Sequence, residues 1–245
     1  MAASKKPLVA ITGASSGIGE GLAKFFSQLG HPLLLMARRV DKMEALNLPN
    51  TICVKTDVTE YAQIESAIKQ AEEKYGPVDL MINNAGVMYL NMAEAQVVEE
   101  WDQMIDVNIK GVLNGIKAVF AGMKERKSGT IVNVSSTCGR KLFATASVYC
   151  ATKFAVHALT EQMREEAAPA NVRFITIAPG FVESELREHI SDDNIRGYVN
   201  QAEKALPEGA LKASHVAEAI AFAYNQPQWV CIREIVLAPT GQAVQ

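Results

Sequence analysis

Tyr149 and Lys153 stand four residues apart in the run Tyr-Cys-Ala-Thr-Lys, and Ser136 lies thirteen residues before the tyrosine. Residues four apart on a helix share one face, so a phenol and an ammonium held this way can share one site. Free tyrosine titrates near ~10, and each unit of downward shift takes about 1.4 kcal/mol of preference for the phenolate. A fixed neighbouring cation supplies part of that preference, which predicts proton transfer by an acidified tyrosine. Taken alone, the same spacing also describes a packed tyrosine with a snorkelling lysine.

A second group sits near the start of the chain. Thr12-Gly-Ala-Ser-Ser-Gly-Ile-Gly19 follows an aliphatic run and precedes a helical pattern. Glycines at 13, 17 and 19 permit a tight turn and close backbone approach, and with Ser15, Ser16 and Ile18 they place free helix-start amides against a dinucleotide pyrophosphate. The next aliphatic run ends Met36-Ala37-Arg38-Arg39. NAD sites place an acid here, where it accepts from the ribose hydroxyls and repels a 2′-phosphate. Ala37 followed by Arg38 predicts the opposite choice, a site for NADP(H), because a guanidinium forms planar, charge-assisted bonds to phosphate. At about 1.5–3 kcal/mol for one such bond, the preference over NAD is roughly one to two orders of magnitude. Arg39 either assists or is simply solvated.

Those residues need a frame. Short aliphatic runs at Leu8 to Ile11, Leu33 to Met36, Thr51 to Val54, Leu80 to Ile82, Thr130 to Val134, Val172 to Ile177 and Ile232 to Leu237 alternate with helical patterns. The patterns cover about 17–29, 40–46, 60–75, 101–126, 148–168 and 214–225. Seven strands separated by helices predict an α/β fold: one Rossmann-type, doubly wound parallel sheet with helices on both faces. Near-continuous apolarity within the runs fits strands buried on both sides. No linker or repeat divides the 245 residues, so the expectation is a single domain over 1–245, with a cofactor half to about 126 and a catalytic half from about 127. The long irregular stretch 181–213 has the makings of a binding lid.

Composition narrows the function classes. Net charge is −3 with 49% apolar residues, which gives no basic footprint for nucleic acid. Lys5 and Lys6 precede an apolar run of only four residues, too short for a signal peptide, and no stretch is long enough to span a bilayer. Cys53, Cys138, Cys150 and Cys231 are scattered, and His31, His157, His189 and His215 show no ligand spacing. Neither a metal nor a disulfide framework is expected, and a reducing cytoplasm fits best.

Further motifs accumulate in order: Thr56-Asp57-Val58, Asn83-Asn-Ala-Gly86, Asn108-Ile-Lys-Gly111 and Pro179-Gly180. With the glycine turn, Ser136, Tyr149 and Lys153, they make the chain resemble the short-chain dehydrogenase/reductase family, in its single-domain branch. By that resemblance Asp57 would meet the adenine ring, and Asn84, Ala85 and Gly86 would support the adjacent ribose. Pro179, Gly180, Val182 and Ser184 would flank the nicotinamide. Ser136 would polarise the substrate carbonyl and Tyr149 would act as acid or base. Lys153 would bind the nicotinamide ribose and lower the tyrosine pKa, and Asn108 would hold a relay water.

The resemblance further implies a small-molecule alcohol or carbonyl substrate and a homo-oligomer, tetramer or dimer, formed through the two long helices and the chain end. Substrate would meet Met88, Tyr89, Cys138, Arg140, Phe143 and the segment from Phe181 to Arg187. The cations Arg140, Lys141 and Arg187 are candidates for an acidic group, in keeping with a closer similarity to a bacterial NADP-dependent branch acting on 3-hydroxy acids such as serine. Two alternatives differ in kind: a non-catalytic NADP-binding redox sensor, which has no need of Ser136, Tyr149 and Lys153, and an epimerase or dehydratase of the extended branch, which usually carries a larger C-terminal domain.

Overall fold

In the structure, a computed structural model, residues 6–190 and 192–242 are described; Lys5 lies outside them. Seven parallel strands form one sheet in the order β3-β2-β1-β4-β5-β6-β7. They are β1 (Leu8–Thr12), β2 (Leu33–Ala37), β3 (Thr51–Lys55), β4 (Val78–Asn83), β5 (Thr130–Val134), β6 (Arg173–Pro179) and β7 (Glu234–Leu237). Every residue of β1, β2, β5 and β6 is buried, as continuous apolar runs between two helical layers require.

One face is covered by α1 (Gly17–Gln28) and α8 (Ala213–Tyr224), whose Leu22, Phe26, Val216 and Ile220 pack on Ile11, Leu35 and Ile177. The other carries α3 (Tyr61–Tyr75), α5 (Gly111–Arg126) and α6 (Ser147–Ala167), through Ile64, Ile68, Ile116 and Val156. The short α2 (Val40–Glu44) follows β2, and α4 (Val98–Ile105) precedes α5. The strand order reverses between β1 and β4, and the carboxyl edge of such a sheet opens a crevice there.

Three expectations shift. The seventh strand begins at Glu234, not Ile232, which packs half-buried on the core. The helix expected over 101–126 starts at Val98 and is broken by a π turn, Asp106–Lys110, carrying Asn108. The 181–213 stretch contains a 3₁₀ turn, Glu185–His189, and α7 (Asp193–Lys204). Its two ends are stitched together, with Leu211 N–H donating to Phe181 O at 2.9 Å and Glu183 N–H to Leu211 O at 2.9 Å. No helix among the described residues is long and apolar enough to cross a membrane.

A buried polar ladder ties β4, β5 and α6 together. Asn83 Nδ2 donates to Asn133 Oδ1 at 2.8 Å, and Asn133 Nδ2 donates to Thr160 Oγ1 at 2.9 Å, linking β4, β5 and α6. The ladder pairs Asn83 Nδ2 and both polar atoms of the Asn133 amide, while Asn83 Oδ1 is buried without a hydrogen-bond partner. Gly115 of α5 faces the ladder: a Cβ there would sit 1.9 Å from Asn83 Oδ1.

Candidate functional site

A cavity of about 810 Å³ runs along the carboxyl edge of the sheet, between the β1–α1 turn, the ends of β4, β5 and β6, and the 181–213 stretch. Gly13, Ser15, Ser16, Gly17 and Ile18 line it, and Gly19 lies directly behind. Gly13 and Gly17 have φ of +66° and +53°, a left-handed backbone that side chains disfavour. A Cβ on Gly19 would meet Gly13 O at 2.1 Å, so the helix can start this close to the strand only without one. The N-cap of α1, Ser16, makes no side-chain capping bond to the first-turn amides. Thr12 Oγ1 braces the turn by accepting from Asn84 and Ala85 N–H at 3.0 and 3.1 Å, while Asn84 Nδ2 donates back to Thr12 O at 3.0 Å. This cradle fits a dinucleotide pyrophosphate.

Ala37 is buried at the end of β2, and Arg38 and Arg39 follow on the cavity wall. Arg39 Nη2 donates to Ser16 Oγ at 2.9 Å, to Ser15 Oγ at 3.3 Å and to Glu185 Oε2 at 2.8 Å. Lys42 Nζ takes the other oxygen of Glu185 at 2.9 Å, and these two cations hold that carboxyl down to about 2. Arg39 is therefore engaged, not merely solvated, and its partner comes from the lid. Asp57 lines the cavity two residues beyond β3; its Oδ1 accepts from Thr59 N–H at 3.0 Å and Thr59 Oγ1 at 2.8 Å, forming a local turn. Asn84, Ala85 and Gly86 line the same wall, as do Pro179, Gly180, Val182 and Ser184 opposite. A Cβ on Gly17 would lie 3.0 Å from Ser184 Cβ, so the two walls touch across the turn.

Ser136, Tyr149 and Lys153 all line the middle of the cavity. Ser136 caps a 3₁₀ turn, Thr137–Gly139, with its hydroxyl accepting from Cys138 N–H at 3.1 Å. Ser135, its neighbour, is buried and donates to Lys153 O at 3.1 Å. α6 presents Tyr149 and Lys153 one turn apart, with the ammonium 5.7 Å from the tyrosine ring centroid and donating to Val134 O at 3.1 Å.

The electrostatics depart from the sequence expectation. Burial pushes the Tyr149 phenol well above its ordinary value, Cys138 adds to the rise, and the Ser136 hydroxyl is what favours ionisation. Burial also holds Lys153 down to about 8. Desolvation outweighs any mutual help between the two groups, and the ammonium's hydrogen bond goes to β5, not to the phenol.

Asn108 is likewise committed. Its Oδ1 accepts from Val87 N–H at 2.9 Å, and its Nδ2 donates to Val87 O at 2.9 Å and Thr152 Oγ1 at 3.1 Å. Both amide hydrogens thus serve protein partners, which fixes the side chain against the segment after β4 and against α6. A Cβ on Gly86 would meet Asn108 Oδ1 at 3.3 Å and Lys153 Nζ at 3.6 Å, so the three cluster without Asn108 lining the cavity.

Among the substrate-side residues, Met88, Cys138, Phe143 and the segment from Phe181 to Arg187 except Glu183 line the cavity; Tyr89 does not, although its ring lies 5.7 Å from that of His189, which does. Arg140 leaves for an ion pair with Glu234 at 2.5 Å, and Lys141 is exposed outside the lining. Thr12, Leu90, and Val199 and Leu206 of the 181–213 stretch were not singled out from sequence. Only Thr12 carried a signal there, as the residue opening the glycine turn.

A family model described as short chain dehydrogenase matches residues 7–195. An uncharacterised oxidoreductase of Staphylococcus saprophyticus is 40% identical over 246 residues, covering 98% of both chains. The closed form of a serine dehydrogenase complexed with NADP+ superimposes with a TM-score of 0.88 at 31% identity over 96% of both chains. A 3-ketoacyl-(acyl-carrier-protein) reductase from Brucella melitensis, complexed with NADH, gives 0.86 at 28% identity over 98% of this chain and all of that one. With the glycine cradle, the Asn84 wall and the Ser136, Tyr149 and Lys153 group on one cavity, the protein belongs to the short-chain dehydrogenase family of oxidoreductases.

Proposed function

We propose that this protein interconverts a secondary alcohol and a carbonyl with NADP(H). The dinucleotide, when bound, supplies or accepts the hydride. Gly13, Ser15, Ser16, Gly17, Ile18 and Gly19 would hold its pyrophosphate, Arg38 and Arg39 its 2′-phosphate, and Asp57 its adenine. Asn84, Ala85 and Gly86 would take the ribose, and Pro179, Gly180, Val182 and Ser184 the nicotinamide. The Ser136 hydroxyl donates to the substrate oxygen. In reduction, Tyr149 Oη gives its proton to that oxygen as negative charge develops there; in oxidation it takes the proton back. Lys153 orients the ribose and returns a proton to the phenol, with Asn108 fixing the strand-end segment beside it.

The observation that carries this reading is that Ser136, Tyr149 and Lys153 reach one cavity with the glycine cradle. Preference for the phosphorylated cofactor is supported by Ala37 and Arg38 and by the NADP+ in the serine dehydrogenase structure. A homo-oligomer is supported by exposed apolar side chains on α4 and α6, Val98, Ile105 and Phe154, and near the chain end, Phe222 and Trp229; a monomeric mass in solution would contradict it. The decisive experiment follows NADPH oxidation with a panel of ketones and aldehydes. Tyr149→Phe is expected to lower turnover by about 10²–10⁴-fold with NADPH affinity nearly unchanged. Retained turnover in that variant would remove the phenol from the reaction.

A further inference from the structure

The two ends of the cavity are chemically unlike. The adenosine end carries Arg38, Arg39 and Asp57. Beyond Ser136 and Tyr149 the walls are Met88, Leu90, Phe143, Val199, Ala202 and Leu206, several of them continuous with a buried apolar cluster around Ala146 and Ile190. A substrate reaching past the phenol therefore meets hydrocarbon.

Charge at that end is cancelled. Arg187 is the one Lys or Arg of the lid that lines the cavity among the described residues, and Glu203 of α7 holds it in an ion pair in which both side chains are about four-fifths shielded from solvent. Glu183 adds further negative charge near the guanidinium, and Glu188 also lines the cavity. His189, which also lines the cavity, is kept below its usual range, chiefly by burial, with Arg38 and Arg39 acting in the same direction. A substrate carboxylate placed beside Arg187 would be desolvated against a guanidinium already paired with Glu203.

We propose that the substrate is an uncharged carbonyl compound, or its alcohol, bearing an apolar chain of several carbons, and that Glu203 sets this specificity by neutralising Arg187. The inference rests on the reductase reading above. It sets this chain apart from action on small hydroxy acids, for which Arg140, Lys141 and Arg187 were the candidate cations.

The test compares one skeleton in two charge states, a 3-oxo acid and its methyl ester, with NADPH and the full chain, alongside methyl ketones of increasing length. The ester is expected to exceed the acid in kcat/KM by at least about tenfold, a difference of ~1.4 kcal/mol. Along the ketone series kcat/KM is expected to rise about fourfold per buried methylene until the cavity is filled. Glu203→Gln should narrow the ester-to-acid ratio severalfold by freeing Arg187. An acid turned over as well as or better than its ester, or a ketone series with no gain, overturns the substrate class while leaving the reductase intact. If no carbonyl compound is reduced with either NADPH or NADH, the reductase reading falls and this inference with it.

Discussion

Lys153 is an ammonium in a dry place, and the protein bears a cost for keeping it there. Burial holds it at about 8 in the folded state, whereas an unfolded lysine keeps its proton to ~10.4. Below pH 8 both states are charged and the folded one carries the desolvation penalty in full. Between about 8 and 10.4 the unfolded chain binds more protons, so this group makes stability rise with pH. Lys153→Met should therefore raise stability at pH 7 by roughly 1–3 kcal/mol, with the advantage shrinking above pH 8, while turnover collapses. Urea midpoints at pH 7 and pH 9.5 measure both parts, and a variant less stable at pH 7 would show that the hydrogen bond to Val134 outweighs burial. The pairing of Tyr149 with Lys153 was readable because a helix period converts four residues into proximity, whereas Ser136, on the turn after β5, was placed by the family resemblance. The pKa values of Tyr149 and Lys153 were not readable, because burial depends on residues distant in sequence, such as Val87, Met104 and Cys138 around the phenol.

Elements explain positions that composition cannot. Gly115 lies mid-helix in α5, where propensity alone makes alanine the better residue by about 1 kcal/mol. Here the added Cβ would land on Asn83 Oδ1, at the start of the ladder that runs through Asn133 to Thr160. Gly115→Ala is expected to destabilise by about 1–3 kcal/mol, the reverse of the propensity expectation, and a thermal melt decides between the two. The strands were legible from their apolar runs and the glycine turn from its place between strand and helix. The π turn at Asp106–Lys110 was not, because Asp-Val-Asn-Ile-Lys is ordinary helical sequence. What accompanies the inserted residue is the hold of Asn108 on both backbone groups of Val87, a contact across 21 residues. The lid pairs were hidden for the same reason: Glu185 lies 146 residues from Arg39.

At the scale of the whole molecule, cofactor choice should be visible as stability. A ligand at a hundred times its Kd stabilises by about 2.7 kcal/mol, roughly 5–10 °C in Tm for a chain of this size. With a preference of one to two orders of magnitude, NAD+ at that same concentration should give only about 0.4–1.4 kcal/mol. Replacing Ala37 with Asp and Arg38 with Ser should reverse the order, and equal shifts for both nucleotides in the wild type would remove the assignment of Arg38.

The carboxylate of Glu185 clasps Arg39 and Lys42 together, and Arg39 lines the cavity where a 2′-phosphate would arrive. A phosphate that captured the guanidinium would leave the Glu185 carboxylate to Lys42. Recognition of the nucleotide's tail and the anchoring of the Glu185–His189 turn would then draw on the same guanidinium, so a substitution that tightens either is expected to be felt at the other.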